Sequence, residues 1–208
     1  MMIQFKDYKK NYGNTLILEF PVMELEHNIY WLKGENGSGK TTLIKSIAGL
    51  VPFEGEISVE GFHIKKHRIQ YRNIVNYAEA EPLYPGFLTG SDLARFYAKV
   101  KSADARQVTS LIKAFGISDY ITNKTGTYSS GMAKKLSLAL GFMGRPKLIL
   151  LDEPLITLDQ HSVEALKNTI VECYRAGVSF IITSHQEIDF TGFSPSRLLV
   201  QDKKIVQL

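Results

Sequence analysis

A stretch near the start of the chain carries residues in the spacing of a phosphate-binding loop. The stretch is WLKGENGSGKTTL, from Trp31 to Leu43, and it satisfies the pattern G-x-x-x-x-G-K-[ST]. Glycines let successive backbone N–H groups turn inward around phosphates, and a following helix presents its positive end to them. In this pattern Lys40 reaches the β- and γ-phosphates, and the Thr41 hydroxyl can ligate Mg²⁺. The candidate phosphate-binding residues are Gly34, Asn36, Gly37, Ser38, Gly39, Lys40, Thr41 and Thr42.

A second stretch with chemical potential is LILLDEP, from Leu148 to Pro154. Its four apolar residues predict a buried strand, and Asp152 follows at the carboxyl end, where a carboxylate can bind the Mg²⁺ shell. Glu153 comes next and can orient or deprotonate a water molecule in line with the γ-phosphate. Alone this pattern is weak, because apolar strands often end in Asp. Together with the phosphate loop it indicates a site that binds and hydrolyses a nucleoside triphosphate.

Length and composition fit a soluble globular protein. The chain has 208 residues, of which 44% are apolar and 22% charged, which suits one domain or one domain with an inserted subdomain. No apolar stretch approaches the roughly 18 residues that cross a bilayer, and the start MMIQFKDYKK lacks a signal-peptide core. The basic cluster HIKKHR, His63 to Arg68, is interpreted as a solvated turn, and the single Cys173 as a buried helix position. We therefore expect a cytoplasmic protein.

The first half of the chain predicts mainly strands. Residues 2–8, 15–20 and 28–33 predict three strands, the last of which leads into the phosphate loop. A helix is expected from Lys40 to Ala48, ended by Gly49. Further strands are predicted in GEISVEG and in RNIVNYA, residues 55–61 and 72–78.

The pattern changes to helices after Thr89. Helices are predicted over 92–100, 103–115 and from Ser129 to about Met143, and an apolar stripe of four residues on the second predicts core packing. The stripe consists of Val108, Leu111, Ile112 and Phe115. The remainder predicts a strand in KLILLD, a helix over 161–175, a strand in GVSFIIT and a closing hairpin in SRLLVQDKKIVQL.

These elements predict an α/β fold. The alternation of buried strands with helices favours a P-loop core with a mainly parallel sheet, preceded by an N-terminal antiparallel β portion. The helical block interrupts the alternation and is interpreted as an inserted subdomain. We therefore expect one domain over 1–208, with the nucleotide-binding core in 1–88 and 144–208 and the helical subdomain in 89–143.

The order and spacing of these motifs resembles the ATP-binding subunit of an ABC transporter over nearly the whole chain. TYSSGMAKKLSLAL precedes LILLDEP at the separation of the family signature, usually written LSGGQ. Ser129, Ser130 and Gly131 open a predicted helix, where small residues leave backbone N–H groups bare; locally, Ser129 is also an ordinary helix cap. The resemblance implies that this second anion site covers the γ-phosphate bound to another protomer, in a head-to-tail dimer. Tyr128 and Met132 stand where the family usually has Leu and Gln.

Three further residues receive roles from the same resemblance. LITLD resembles the D-loop that crosses the dimer interface; it keeps Asp159, whereas Ile156 and Thr157 replace the usual Ser and Ala. In IITSHQ the resemblance implies that His185 contacts the γ-phosphate and positions the water. Tyr12 in NYGN matches the aromatic residue that stacks on adenine.

The segment NIVNYAEAEPLYPGFLTGSDL is the least regular match, and it resembles the Q-loop. The family places there a Gln that touches Mg²⁺, but this loop contains none. An alignment on PLYP puts Glu79 at that position, and one on NYAEAEP puts Ala80 there. We prefer Glu79, because a carboxylate can ligate Mg²⁺; with Ala80, Glu81 is the nearest substitute.

The resemblance places a groove for a membrane partner beside this loop. Four aromatic side chains occur in that neighbourhood, and aromatic residues are common both at interface anchors and in cores. The four are Tyr84, Phe87, Phe96 and Tyr97. We expect Tyr84 and Phe87 to be the exposed pair.

The resemblance implies an ATPase that powers a transporter, with ATP and Mg²⁺ as cofactors. It implies integral membrane permease subunits as partners, pairing with itself or with a homologous ATPase, no nucleic acid, and a peripheral position on the cytoplasmic face of the membrane. The Ser-x-Gly-Met signature points to export. The alternative is a non-transport ABC ATPase that acts with soluble partners in complex assembly or cell division. A P-loop kinase or GTPase is disfavoured, because no acceptor-binding or base-recognition motif is found.

Overall fold

The computed structural model describes residues 2–184, 189–190, 192 and 194–208 as two sheets with helices around them. The strands are β1 (Ile3–Tyr12), β2 (Thr15–Leu25), β3 (Ile29–Lys33), β4 (Glu54–Val59), β5 (Phe62–His63), β6 (Val75–Ala78), β7 (Leu148–Asp152), β8 (Ser179–Thr183), β9 (Ser196–Gln201) and β10 (Lys204–Gln207). The helices are α1 (Lys40–Ile47), α2 (Arg68–Ile74), α3 (Gly90–Lys101), α4 (Ala105–Ala114), α5 (Ser130–Gly141) and α6 (Gln160–Arg175), with a 3₁₀ turn at Thr125–Thr127.

The larger sheet has the strand order β10-β9-β3-β8-β7-β6. All its neighbouring strands pair in parallel except β10, which turns back antiparallel to β9. Every residue of β7 and β8 is buried, as expected for strands covered on both faces. Because β3 and β7 are parallel, the phosphate loop after β3 and Asp152 at the end of β7 lie at the same edge of the sheet.

The two faces of this sheet support two hydrophobic cores. Leu148 and Leu150 of β7 pack into a core with α1 and the antiparallel strands, whereas Ile149 and Leu151 pack into a core with the helices α3 to α6. This alternation follows from the period of two in a strand. The site at the sheet edge is therefore anchored to both cores.

The smaller sheet is antiparallel, with the order β2-β1-β4-β5, and it forms the N-terminal β portion. Its inner face is aromatic: the rings of Tyr8 and Phe20 stack at 4.9 Å, and Phe5 meets Phe20 edge-on at 5.4 Å. The Tyr8 hydroxyl donates to Ser46 Oγ at 2.8 Å, which fixes this sheet against α1. The predicted α/β fold with an antiparallel N-terminal portion is confirmed.

The helical part after Thr89 has its own local signals. Thr89 and Asp92 form a reciprocal capping box at the start of α3. On α4 and just after it, Leu111 and Phe115 are buried and Val108 and Ile112 are partly buried, as the apolar stripe predicted. No helix of the described ranges is long and apolar enough to cross a membrane. The division of the chain into 1–88, 89–143 and 144–208 remains a prediction.

One predicted element is wrong in its first half. The strand expected over 72–78 begins only at Val75, because Arg68–Ile74 forms the helix α2. Its anchor is Tyr71, which is buried and donates from its hydroxyl to Ile47 O at 2.7 Å. Ile69 is 75% exposed, and Tyr71 and Ile74 are the two apolar residues of the helix that pack on the core, a pair too short to show as a stripe in the sequence pattern.

Candidate nucleotide site

The phosphate loop leaves β3 and ends at the first turn of α1. Gly39 stands at the helix N-cap with φ 108°, in the left-handed region that favours glycine. A Cβ there would lie 2.9 Å from the Ile17 side chain, so a larger residue would displace the loop from β2. No side chain caps α1, which leaves its first backbone N–H groups without a side-chain acceptor. Bare N–H groups at a positive helix end form an anion site.

Lys40 closes this loop from inside. Only 9% of the residue is exposed, and its ammonium donates to Gly34 O at 2.7 Å and to Glu35 O at 2.9 Å. The cation is thus held across the concave side of the loop. Ser38 Oγ is buried and has no hydrogen-bond partner among the described residues. An unpaired buried hydroxyl beside a fixed cation fits a ligand that supplies acceptor oxygens, such as a phosphate.

Asp152 lies at the carboxyl end of β7 with 1% exposure. Its Oδ1 accepts from Thr41 Oγ1 at 3.2 Å and from Thr183 Oγ1 at 2.8 Å, and its Oδ2 accepts from the Tyr77 hydroxyl at 3.4 Å. The structure therefore brings together Thr41 and Asp152, two of the three residues predicted to bind the metal. The side-chain groups that the described residues place around Asp152 here are hard oxygen donors.

The donor set fits Mg²⁺. Magnesium usually takes one or two carboxylates and completes its shell with water and substrate phosphates. No group of three His, Cys, Asp or Glu that could hold a metal alone occurs in the ranges that the structure describes. One buried carboxylate and one hydroxyl next to the phosphate loop suit a cation that arrives with a nucleotide.

Glu153, the predicted general base, follows Asp152 in an unusual conformation. Its φ is 43°, in the left-handed region where a non-glycine residue is uncommon. Its N–H donates to Thr183 Oγ1 at 2.9 Å. The bond to the neighbouring strand β8 thus fixes the backbone from which the Glu153 carboxylate projects.

Lys134 is a residue that the sequence analysis did not single out. It is 1% exposed, and its ammonium donates to Glu79 O at 2.7 Å, Asp152 O at 3.0 Å and Ala80 O at 3.2 Å. Burial lowers the pKa of this ammonium to about 8, against the opposing effect of nearby carboxylates. Lys134 joins α5, the loop after β6 and the end of β7. A lysine inside an otherwise buried helix was the only signal available.

The loop after β6 contains both candidates for the third metal position. The backbone carbonyls of Glu79 and Ala80 face Lys134, and the Glu79 residue is exposed. Burial raises the pKa of the Tyr77 phenol, and the charges of Asp152 and Glu79 raise it further. The hydrogen bonds to Lys134 involve the backbone of both candidates, and the preference for Glu79 over Ala80 as a metal contact remains a prediction.

The predicted signature residues lie at the start of α5. Ser129 is the N-cap, and its Oγ accepts from Met132 N at 3.2 Å; Ser129 and Ser130 are exposed. A Cβ on Gly131 would lie 3.0 Å from Thr157 O, so this helix start packs closely on the segment after Glu153. The cavity beside the signature measures about 380 Å³, and the one beside the phosphate loop about 660 Å³; they share no described lining residue.

Asp159 has a structural role in the chain itself. It caps α6 by accepting from Ser162 N at 2.8 Å, and its carboxylate lies 2.5 Å from Lys135 Nζ. The hydrogen bond from Lys135, aided by that from Ser162, holds the pKa of the Asp159 carboxyl well below its usual range. Its predicted contact with a nucleotide across a dimer remains a proposal.

The two remaining predicted nucleotide contacts are Tyr12 and His185. Tyr12 ends β1 with 50% exposure, and Lys10 Nζ sits 4.3 Å from the centre of its ring. Half of the Tyr12 residue is thus accessible to a ligand such as a planar base. Ile17, which was not predicted, lines the cavity beside the phosphate loop. His185 lies outside the described residues.

The expected pair of exposed aromatics is half correct. Phe87 is 75% exposed, as expected. Tyr84 is partly buried because it packs against the core of the helical part, and this burial raises the pKa of its phenol. Leu83 and Phe96 are the other exposed apolar side chains of this region, at 92% and 61%.

The phosphate loop, the buried Asp152 and the parallel sheet define the chain as an α/β P-loop NTPase. Residues 24–156 match the family described as ABC transporter, and the chain belongs to this family. It is an ATPase domain of that family.

Known proteins agree with this assignment. The chain is 28% identical over 197 residues to the linearmycin resistance ATP-binding protein LnrL of Bacillus subtilis (strain 168), covering 91% of this chain and 63% of LnrL. A solved ATP-binding subunit of an ABC transporter superposes with a TM-score of 0.90 at 23% identity, covering 100% of this chain and 90% of that one. The ATP-binding cassette MJ0796, solved as a dimer bound to ADP and Pi, superposes with a TM-score of 0.83 at 17% identity, covering 98% and 96%.

Proposed function

We propose that this chain powers an ABC transporter by ATP-dependent head-to-tail dimerisation and hydrolysis of ATP. The observation that carries the proposal is that the chain has one complete phosphate cradle and, apart from it, an exposed second helix start at Ser129. The cavities beside the two have no described residue in common. A second protomer can supply its own Ser129 to the cradle of the first, and then both sites become complete.

The residues at the cradle divide the chemistry between them. The bare amides of the loop and the Lys40 ammonium bind the β- and γ-phosphates. Thr41 and Asp152, with Glu79 at the loop after β6, would hold Mg²⁺, which neutralises phosphate charge when bound. Glu153 accepts a hydrogen bond from the attacking water and orients it along the line of the γ-phosphate. His185 supports the water's position, and Tyr12 stacks on adenine. Catalysis of this kind is mainly positioning and charge stabilisation.

A membrane partner is supported by the surface beside the loop after β6. Leu83, Phe87 and Phe96 expose apolar area close to the segment that Lys134 ties to Asp152. Exposed apolar groups of this kind mark interaction sites. The relative LnrL is named a resistance protein, which supports export as the direction. A permease seated there would place the chain on the cytoplasmic face of the membrane.

The decisive experiment is sedimentation of the Glu153→Gln variant with and without ATP and Mg²⁺. Removal of the general base should halt hydrolysis and trap the sandwich, so ATP should shift the variant from monomer to dimer. The double variant Glu153→Gln with Lys40→Met is the matched control and should stay monomeric. ATP binding without any shift would contradict self-pairing through Ser129.

The membrane partner requires a separate experiment. The chain should co-purify with an integral membrane protein from detergent extracts, and Phe87→Asp with Phe96→Asp should abolish this while ATP binding persists. Retention only of soluble proteins would favour the alternative, an ABC ATPase that acts in complex assembly or cell division.

A further inference from the structure

Thr183 occupies a central position that neither the motifs nor the proposed mechanism assigns. It is the last residue of β8, it is fully buried, and it pairs in register with Asp152 of the neighbouring strand β7. Its Oγ1 donates to Asp152 Oδ1 at 2.8 Å and accepts from Glu153 N at 2.9 Å. One hydroxyl therefore holds both successive acidic residues of the site.

The two bonds have different consequences. The bond to Asp152 fixes the side-chain torsion of a carboxylate that also receives Thr41 Oγ1 at 3.2 Å on the same oxygen. The bond from Glu153 N supports a left-handed backbone conformation, with φ 43°, that a non-glycine residue adopts only when its surroundings determine it. Without the Thr183 hydroxyl, the carboxylates of Asp152 and Glu153 would thus no longer be held in their observed directions.

Tyr77 acts on the other oxygen of Asp152. It lies on β6, the strand on the opposite side of β7 from β8, and its hydroxyl is 3.4 Å from Asp152 Oδ2. The two strands that flank β7 therefore each donate one hydroxyl to the same carboxylate. The longer distance makes the Tyr77 bond the weaker of the two.

We propose that Thr183 and Tyr77 are positioning residues for ATP hydrolysis, which hold Asp152 and Glu153 in their working directions from the two flanking strands. The proposal rests on the proposed ATPase site. Neither hydroxyl needs to touch nucleotide, metal or water, since each acts through a carboxylate. A 1 Å displacement of a catalytic group can lower a rate by about 100-fold, so such support has a large effect on turnover.

The experiment compares Thr183→Val, which keeps the shape and removes the hydroxyl, with Thr183→Ser, which keeps the hydroxyl. We expect kcat to fall at least about tenfold in the first variant and to stay within about threefold of the parent in the second. KM for ATP should rise by less than kcat falls, because the phosphate loop and Tyr12 are untouched and only the metal contribution to binding is weakened. Tyr77→Phe should lower kcat by about twofold to threefold.

A second readout does not depend on turnover. The ratio of the ADP dissociation constants measured with EDTA and with Mg²⁺ reports how well Asp152 is held for the cation. This ratio should fall in Thr183→Val and in Tyr77→Phe and be restored in Thr183→Ser. Thr169→Val is the control, because among the described residues the Thr169 hydroxyl bonds to Ala165 O alone, at 2.7 Å within α6. It should leave both kcat and the ratio unchanged.

A structural role alone predicts another pattern. If Thr183→Val lowers the melting temperature but leaves kcat and the metal dependence of ADP binding at parent values, the inference is wrong. If Thr183→Val does not fold, unchanged kcat and unchanged metal dependence in Tyr77→Phe contradict the Tyr77 part, and a tenfold loss in Thr183→Ser contradicts the hydroxyl argument. A parent protein that hydrolyses no ATP would instead contradict the proposed function.

Discussion

The chain contains two helix starts proposed to meet phosphate, and they are built differently. At α1 the N-cap is Gly39, no side chain caps the helix, and Lys40 is buried against the loop carbonyls. At α5 the Ser129 hydroxyl already accepts from Met132 N, and Ser129 and Ser130 are exposed. The first start holds its own buried cation against the loop, whereas the second is an exposed edge beside the cavity of about 380 Å³. We expect this exposed edge to complete a phosphate site that another protomer provides.

The largest effect should come from the first start. Lys40→Met removes the cation that spans Gly34 O and Glu35 O, so hydrolysis should fall by at least about 100-fold and ATP affinity should drop with it. Enzyme assays and binding of a fluorescent ATP analogue measure the two effects. Lys45→Met, in the same helix, should change neither the rate of hydrolysis nor the ATP affinity by more than about twofold. An equal loss in both variants would show that Lys40 has no specific role in binding phosphate.

Mixing of two inactive proteins tests whether the second start works across a dimer. Gly131→Asp should bind ATP but not hydrolyse it, since a side chain at Gly131 collides with Thr157 O and blocks the edge. Mixed with Lys40→Met protein, it should recover measurable activity, since each mixed dimer combines one intact phosphate loop with one intact Ser129 edge. No recovery, despite dimers seen in sedimentation, would contradict the proposal that the Ser129 edge of one protomer completes the phosphate loop of the other.

Substitutions at the proposed adenine contact of the first site should have a smaller effect. Tyr12→Ala should raise KM for ATP by about tenfold, because stacking of a base on an aromatic ring contributes about 1–3 kcal/mol. Tyr12→Phe keeps the ring and should leave KM within about twofold. Steady-state kinetics of the two variants decides this, and equal KM values for Ala and Phe would place adenine elsewhere.

The smallest effect concerns the support of the second start. Asp159→Ala removes the cap of α6 and the contact with Lys135 of α5, and it should lower the free energy of unfolding by about 1 kcal/mol, with at most a small further loss from the exposed ion pair. The pKa of Asp159 is depressed in the folded protein, so this stabilisation is present above its ordinary value of 3.8 and declines as the pH falls below it.

Urea unfolding at pH 7 and pH 3 measures this effect. The difference between the parent and Asp159→Ala should shrink at pH 3. Asp104→Ala is the matched control, because Asp104 caps α4 through Gln107 N at 2.9 Å and forms no ion pair with another described residue. A pH dependence as large in the control would show that the Lys135 contact contributes nothing.

Local patterns predicted the elements whose signals lie within one segment. The phosphate loop, the strand ending in Asp152 and the stripe on α4 all depend on neighbours in sequence, and the structure has them where they were expected. The sequence did not predict the observed roles of Lys134, Thr183 and Tyr84, because their partners are distant along the chain. Lys134, for example, bonds the carbonyls of Asp152 and Glu79, which are 18 and 55 residues away. Helix α2 was missed for a related reason, since its anchor is a single tyrosine bonded to Ile47 O.

The three hydrogen bonds of Lys134 also limit how far α5 and the loop after β6 can move relative to each other. Its ammonium clamps α5 to the carbonyls of Glu79, Ala80 and Asp152, so any rotation of α5 must drag residues 79–80 along or break the clamp. We therefore expect α5 and residues 79–80 to move together as one rigid unit, attached to the edge of the sheet at Asp152. The stretch that carries Leu83 and Phe87 lies beyond the residues bonded to Lys134. If the proposed membrane partner binds this stretch, shortening it should weaken the coupling between ATP hydrolysis and the partner without altering the nucleotide site.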